Sequence, residues 1–206
     1  MAIKVNGTTV INDSRALSNI ASVDATTATA IGAAGVGGAS TLISDSVSVG
    51  TGTTFSISFS GSYRAYRLIL NGINSSSTYQ ALAWRYTDGS GNNITGTQDY
   101  SFQYASRTLT SRWTVDDKMN IPENYKSGSS LHRAYIDMYI YNPNSTTETT
   151  TQRGSFNYTS DSYYTGAFTS FVNTNTYGIG ANNSIYFYHT TGGNFSGGTY
   201  SLWGLN

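Results

Sequence analysis

Cysteine is absent from the 206 residues, which excludes disulfides, thiolate nucleophiles and cysteine-based zinc sites together. Charge is scarce: Asp, Glu, Lys and Arg make up 11% of the chain, and 11 basic residues balance 11 acidic ones. The clustered basic footprint of a nucleic-acid binder is missing, so no nucleic-acid partner is expected. Glutamate occurs only at Glu123 and Glu148, and with strong helix formers this few a mostly helical protein is excluded. No apolar run reaches the length of a membrane span, so membrane insertion is not expected. The opening MAIKVNGTTV carries one lysine but no apolar stretch, and is not expected to act as a signal peptide. A domain without disulfides depends on core burial or on oligomerisation. Assembly in a bacterial cytoplasm followed by life outside the cell fits these absences.

What is present points one way. There are 22 Gly and 17 Tyr among abundant Ser, Thr and Asn. Tyr and Thr suit a pleated, half-buried surface, and Gly and Asn suit the turns between strands. Three zones follow along the chain. Residues 1–24 contain two short alternating segments around Asn6-Gly7, a pair that favours a hairpin because both positions tolerate positive φ. A lone two-stranded hairpin is marginal in water, so this segment is expected to need a partner surface. Residues 25–41 are small and Gly-rich, and two readings stay open: a flexible linker, or a close-packed neck between chains.

Residues 42–206 read as about eight to ten short strands with regular turns, an antiparallel β-sandwich of jelly-roll-like form. Phe55, Ile57 and Phe59 alternate with serines, the pattern of a strand with one buried face. Tyr66–Ile73 is a strand expected to end at Asn71-Gly72. Leu82, Trp84 and Tyr86 fall on one side of the next strand and Arg85 on the other, before a turn over Asp88–Asn93. Ile136, Met138 and Ile140 share a face and stop at Asn142-Pro143. Strands are also expected at Tyr100–Tyr104, Thr151–Thr159, Ala167–Val172, Ser184–Thr190 and Thr199–Leu205. In the last, Leu202 is placed toward the core and Trp203 on the opposite face.

Two stretches carry a resemblance. Ile3–Ile20, with its core Asn6-Gly7-Thr8-Thr9-Val10-Ile11, then Ser14-Arg15 and Asn19-Ile20, resembles the opening of tail-fibre and virion proteins of tailed bacteriophages, notably marine and cyanobacterial ones. Tyr66–Gly72, Arg85–Gly89, Tyr141–Pro143 and the closing Ser196-Gly197-Gly198-Thr199-Tyr200-Ser201-Leu202-Trp203-Gly204-Leu205 resemble a β-sandwich found in phage virion proteins. The resemblance implies a virion component, usually oligomeric. With no disulfides and many aromatics, the sandwich also has surface to spare for a subunit contact, and a homotrimer is expected. Its partners would be other tail or capsid proteins and a host surface glycan or protein. The resemblance brings no catalytic residue and no cofactor. On this reading Ile3, Val5, Asn6, Gly7, Thr8, Val10, Ile11, Arg15 and Ile20 attach the chain to the particle. The sandwich would act as a short tail fibre in host adhesion. A capsid decoration protein is the structural alternative, and a glycan depolymerase the enzymatic one.

Candidate chemistry is thin. Histidine occurs only at His132 and His189, and His189, among Tyr186, Phe187 and Tyr188, reads as a hydrogen-bonded structural residue. A depolymerase needs two opposed carboxylates. The candidates Asp116, Asp117 and Glu123 lie in Thr114–Asn124, a segment read as a solvated polar loop. Asp88–Asn93 lacks the ordered acidic positions of a calcium loop, so no metal site is expected. Trp113, Tyr125, Tyr163 and Tyr164, read as lying in loops or at strand ends, are candidates for receptor or glycan contact. Such rings pair a rigid apolar face with a polar handle.

Overall fold

A computed structural model describes residues 3–5, 8–11, 40–60, 63–76, 81–87, 93–94, 100–106, 109–116, 118–120, 133–145, 148–159, 163–172, 184–190 and 192–206. They are strands and the turns between them, and all the strand pairings are antiparallel. The chain divides into two units, Met1–Ala39 and Ser40–Asn206. In the first, β1 (Ile3–Val5) pairs with β2 (Thr8–Ile11). Val5 lies opposite Thr8, the register of a two-residue connection.

The second unit contains β3 (Ser40–Ser48), β4 (Thr54–Ser58), β5 (Ala65–Ser75), β6 (Leu82–Thr87), β7 (Tyr100–Ser106), β8 (Leu109–Asp116) and β9 (Met119–Asn120). It continues with β10 (Ala134–Tyr141), β11 (Thr151–Thr159), β12 (Tyr163–Val172), β13 (Ser184–His189) and β14 (Phe195–Leu205). Its first strand starts at Ser40, two residues ahead of the Leu42 boundary expected from composition.

The strand order is that of a jelly roll. One sheet runs β3-β14-β5-β10-β11-β12-β7-β8 and the other β4-β13-β6-β9. Eight strands therefore pair in nested fashion, β3 with β14, β4 with β13, β5 with β10 and β6 with β9, as when one long hairpin is rolled up. Two inserted hairpins, β7–β8 and β11–β12, both join the larger sheet beyond β10. That sheet presents Tyr66, Leu68, Leu70, Ile136, Met138, Ile140 and Leu202 inward, each at most 1% exposed. The smaller sheet answers with Ile57, Leu82, Trp84, Tyr86, Ile185 and Phe187. Phe55 stacks on Phe187 at 4.8 Å, and Trp84 meets Phe168 of β12 at 5.6 Å, so the inserted strands cover the β6 end of the core.

Three expectations need correction. The strand holding Asn71-Gly72 does not end there but continues to Ser75. Gly72 has φ +65°, and the register slips at this point against both β10 and β14. An Asn-Gly pair offers the left-handed conformation that a hairpin turn uses, and a β-bulge uses the same conformation within a strand. The polar loop expected over Thr114–Asn124 is partly strand: Thr114–Asp116 finish β8 and Met119–Asn120 form β9. A two-residue strand is too short to show alternation. It is nevertheless anchored, because Met119 is 1% exposed and its sulfur accepts from Gln152 Nε2 and, at 3.0 Å, from Ser170 Oγ. Tyr86 Oη donates to Gln152 Oε1 at 2.7 Å, so the buried amide has partners at both ends. Trp113, finally, belongs to the interior of β8, opposite Gln103.

The Asn142-Pro143 signal marks a turn as expected. Asn142 has φ +55° and its N–H donates to the Arg64 carbonyl at 2.8 Å. Below it, the buried Tyr66 hydroxyl donates to the Ser60 carbonyl at 3.0 Å and accepts from Asn144 Nδ2 at 3.1 Å. One side chain thus ties the entry to β5 to the exit from β10. Burial is the main reason its pKa lies above the usual tyrosine value.

Candidate functional site: the outer face of the larger sheet

Side chains alternate along a strand, so the residues between the core positions of β5, β10, β11 and β14 line the other face of the sheet. These are Arg67 and Ile69, then Tyr135, Asp137, Tyr139 and Tyr141, then Arg153, Ser155 and Asn157, and Ser201 and Trp203. Backbone pairing sets them in rows. Trp203 lies opposite Arg67, Arg67 opposite Tyr139, and Tyr139 opposite Arg153. The row continues through Thr169 and Gln103 to the register position of Trp113.

Within this row cations and rings alternate. The Arg67 guanidinium lies 5.8 Å from the Trp203 ring centroid and 5.6 Å from that of Tyr139. The Arg153 guanidinium lies 5.9 Å from Tyr139 and 5.5 Å from Tyr141. The two tyrosine rings are nearly parallel, 17° apart with centroids at 6.5 Å. Asp137 receives both Nε and Nη2 of Arg67, at 3.0 and 2.7 Å. This bidentate pair raises the Arg67 pKa above its usual value, chiefly through the hydrogen bond. Both side chains are 38% exposed, and an ion pair in such a setting contributes about 1 kcal/mol or less. The ladder is therefore a poor investment in stability alone. Trp, Tyr and Arg are the residues that dominate binding hot spots.

Beside the ladder lies a shallow depression of about 130 Å³ lined by Ile69, Asn71, Tyr135, Asp137, Ser155 and Asn157. Its rim offers amide, hydroxyl and carboxylate groups around an aliphatic floor. Tyr135 is 37% exposed.

Of the candidates from sequence that lie among the described residues, only Trp113 falls in register with this row. Tyr163 and Tyr164 open β12. Thr169, five residues beyond Tyr164, is the one in line with Trp113, a separation of roughly 17 Å along the strand. Ile3 and Val5 lie on β1, and Thr8, Val10 and Ile11 on β2. Tyr125, Asn6, Gly7, Arg15, Ile20, His132, Asp117 and Glu123 lie outside the described residues. Asp116 closes β8. Among the described residues no cluster of His, Asp or Glu could hold a metal ion. The turn expected over Asp88–Asn93 is described only at its end, where Asn93 bridges Thr87 and the Ile94 N–H donates to the Tyr86 carbonyl at 2.9 Å.

Sequence reasoning placed Trp203 outward but missed Arg67, Asp137, Tyr139, Tyr141 and Arg153. The alternation in Tyr135–Tyr141, aromatic and acidic against aliphatic, was the available signal.

His189 departs from expectation in one respect. It is buried at 3% exposure against the Phe195 ring, 4.4 Å away. Neither ring nitrogen has a hydrogen-bond partner among the described residues. Burial pushes its pKa down to about 4, against a smaller upward pull from the nearby Ala81 carbonyl, which is not in hydrogen-bonding geometry with the ring. The folded state thus binds the proton less readily than the unfolded state. Stability from this group is full above pH 6.5 and falls as the pH drops toward 4, by roughly 3 kcal/mol in all. Urea midpoints at pH 7.5 and 4.5 are expected to differ more in the wild-type chain than in His189→Phe. Equal shifts in the two would refute this assignment.

No family model matches the chain, and no curated protein sequence matches it. Among solved structures, the crystal structure of the infectious bursal disease virus VP2 subviral particle shows a slight likeness, at 10% identity and a TM-score of 0.16. The alignment covers 81% of this chain and 40% of that one, so the chain spans well under half of that protein. A likeness this slight leaves fold and function to be argued from the chain's own residues.

Proposed function

We propose that this chain is a non-catalytic structural protein of a tailed-bacteriophage virion, a short tail fibre or similar appendage. Its N-terminal unit docks to the particle and its jelly roll makes the adhesive contact. The observation that carries the adhesive part is the Trp203–Arg67–Tyr139–Arg153 row, an outward array of hot-spot residue types on a rigid sheet. The docking part rests on the resemblance of Ile3–Ile20 and on the separation of Met1–Ala39 from Ser40–Asn206. Assembly as a homotrimer goes with this reading, because a chain without disulfides and with outward-facing aromatics has surface to spare for a symmetric subunit contact.

The test is deletion of residues 1–39. Ser40–Asn206 is expected to unfold at the same denaturant concentration as the full chain and to be missing from purified particles. Normal incorporation of the shortened chain would contradict the docking role. Loss of its folding would contradict the independence of the sandwich.

A further inference from the structure

The two arginines of the ladder are not equivalent. Arg67 is neutralised by the bidentate hydrogen bonds to Asp137. Arg153 lies over Tyr139 and Tyr141 and has no carboxylate partner among the described residues. Stacking engages the flat face of a guanidinium and leaves its in-plane N–H donors for a second partner, and the geometry of those donors matches a carboxylate. The neighbours on this face are Thr151, Ser155, Asn157 and Thr169, all exposed. Tyr and Arg are common at protein interfaces too, but here Thr151, Ser155, Asn157 and Thr169 surround the two rings with small hydroxyl and amide groups, the donors and acceptors that sugar hydroxyls use.

We infer that Arg153, Tyr139 and Tyr141 form a platform for a carboxylate-bearing glycan. A sugar ring rests its C–H face on the tyrosines and its carboxylate meets Arg153, while the sugars that follow along the polymer reach Ser155 and then Asn157, two and four residues along β11. Charge complementarity selects an acidic polymer over a neutral one. The inference rests on reading the sandwich as the adhesive part of a virion protein, and it names the class of receptor.

The experiment uses the full chain in affinity electrophoresis through gels containing polygalacturonate, hyaluronan, polysialic acid or neutral dextran. Retardation is expected with at least one acidic polymer and not with dextran. Arg153→Gln is expected to weaken that binding by about tenfold or more, the loss of one charge-assisted contact, with an unchanged denaturation midpoint. Arg85→Gln serves as the control. Arg85 lies 5.1 Å from the Tyr188 ring on the smaller sheet, and its replacement removes the same charge elsewhere. It is expected to leave binding intact.

Absence of retardation by every acidic polymer, unchanged binding by Arg153→Gln, or equal losses in both variants would overturn the inference. So would a change of oligomeric state in Arg153→Gln, which would assign the face to a second copy of the chain. Incorporation into particles is scored separately for the wild-type chain. A chain present in particles that binds no acidic glycan refutes the inference and leaves the virion reading standing, whereas a chain absent from particles refutes the virion reading whatever its glycan binding.

Discussion

Leu202→Ala is expected to destabilise the sandwich by about 2–5 kcal/mol, whereas Trp203→Ala, one residue further along the same strand, is expected to cost about 1 kcal/mol. Leu202 is 1% exposed and opposite Leu68 of β5, so its removal leaves a cavity between the sheets. Trp203 faces outward, where its described partner is the Arg67 guanidinium, and an exposed cation–π contact is worth about 0.5–1 kcal/mol. Tyr200, on the Leu202 side, is partly buried against the core and stacks at 6.5 Å on Phe55. Urea midpoints of the two variants decide the matter, and a larger loss from Trp203→Ala would reverse the assignment of the faces. Removing Tyr200–Asn206 altogether is expected to abolish soluble protein. β14 is hydrogen-bonded to β3 on one side and β5 on the other, so its loss strands β3 and bares the edge of a central strand.

The second large effect is expected at Gly154. It sits on β11 directly opposite Met138 of β10 and Phe168 of β12. A Cβ at this position would run into the Asp137 carbonyl oxygen and come within 2.9 Å of Met138 Cα. Both are backbone atoms of the paired strand, so no rotamer change relieves the clash. Overpacking in a well-packed core usually costs about 1–3 kcal/mol. Gly154→Ala is expected at or above the top of that range, and Gly154→Val is expected to yield no soluble protein. Gly197→Ala is the control: a Cβ there meets nothing within 4 Å, and a change within about 0.5 kcal/mol is expected. Similar thermal midpoints for Gly154→Ala and Gly197→Ala would show that β10 and β11 are not packed as described.

Much of the fold could be read from alternation because most strands bury one face only. Ile136, Met138 and Ile140, or Leu82, Trp84 and Tyr86, declare their inward side without help from the rest of the chain. What alternation does not encode is which strand lies beside which. The row from Trp203 to Arg153 draws on four strands spread over more than a hundred residues, and its register depends on turns and on the bulge at Gly72. The row therefore stayed hidden although each member sits in a strand that was recognised. Met119 illustrates the opposite limit. A two-residue strand carries no periodicity, and only the fold shows that Met119 is buried, with the Gln152 and Ser170 donors around its sulfur. His189 is expected to be hydrogen-bonded, and its burial without a hydrogen-bond partner among the described residues depends on neighbours distant in sequence.

The central claim, that this chain is an adhesive appendage of a virion, is tested most directly by a three-dimensional map of the intact particle in which the chain is located. The account predicts density for the jelly roll projecting from the particle as a symmetric trimer, with the N-terminal unit at the attachment point and the Trp203–Arg153 face open to solvent. A particle lacking the chain would contradict it, as would jelly rolls lying flat against the capsid with that face covered.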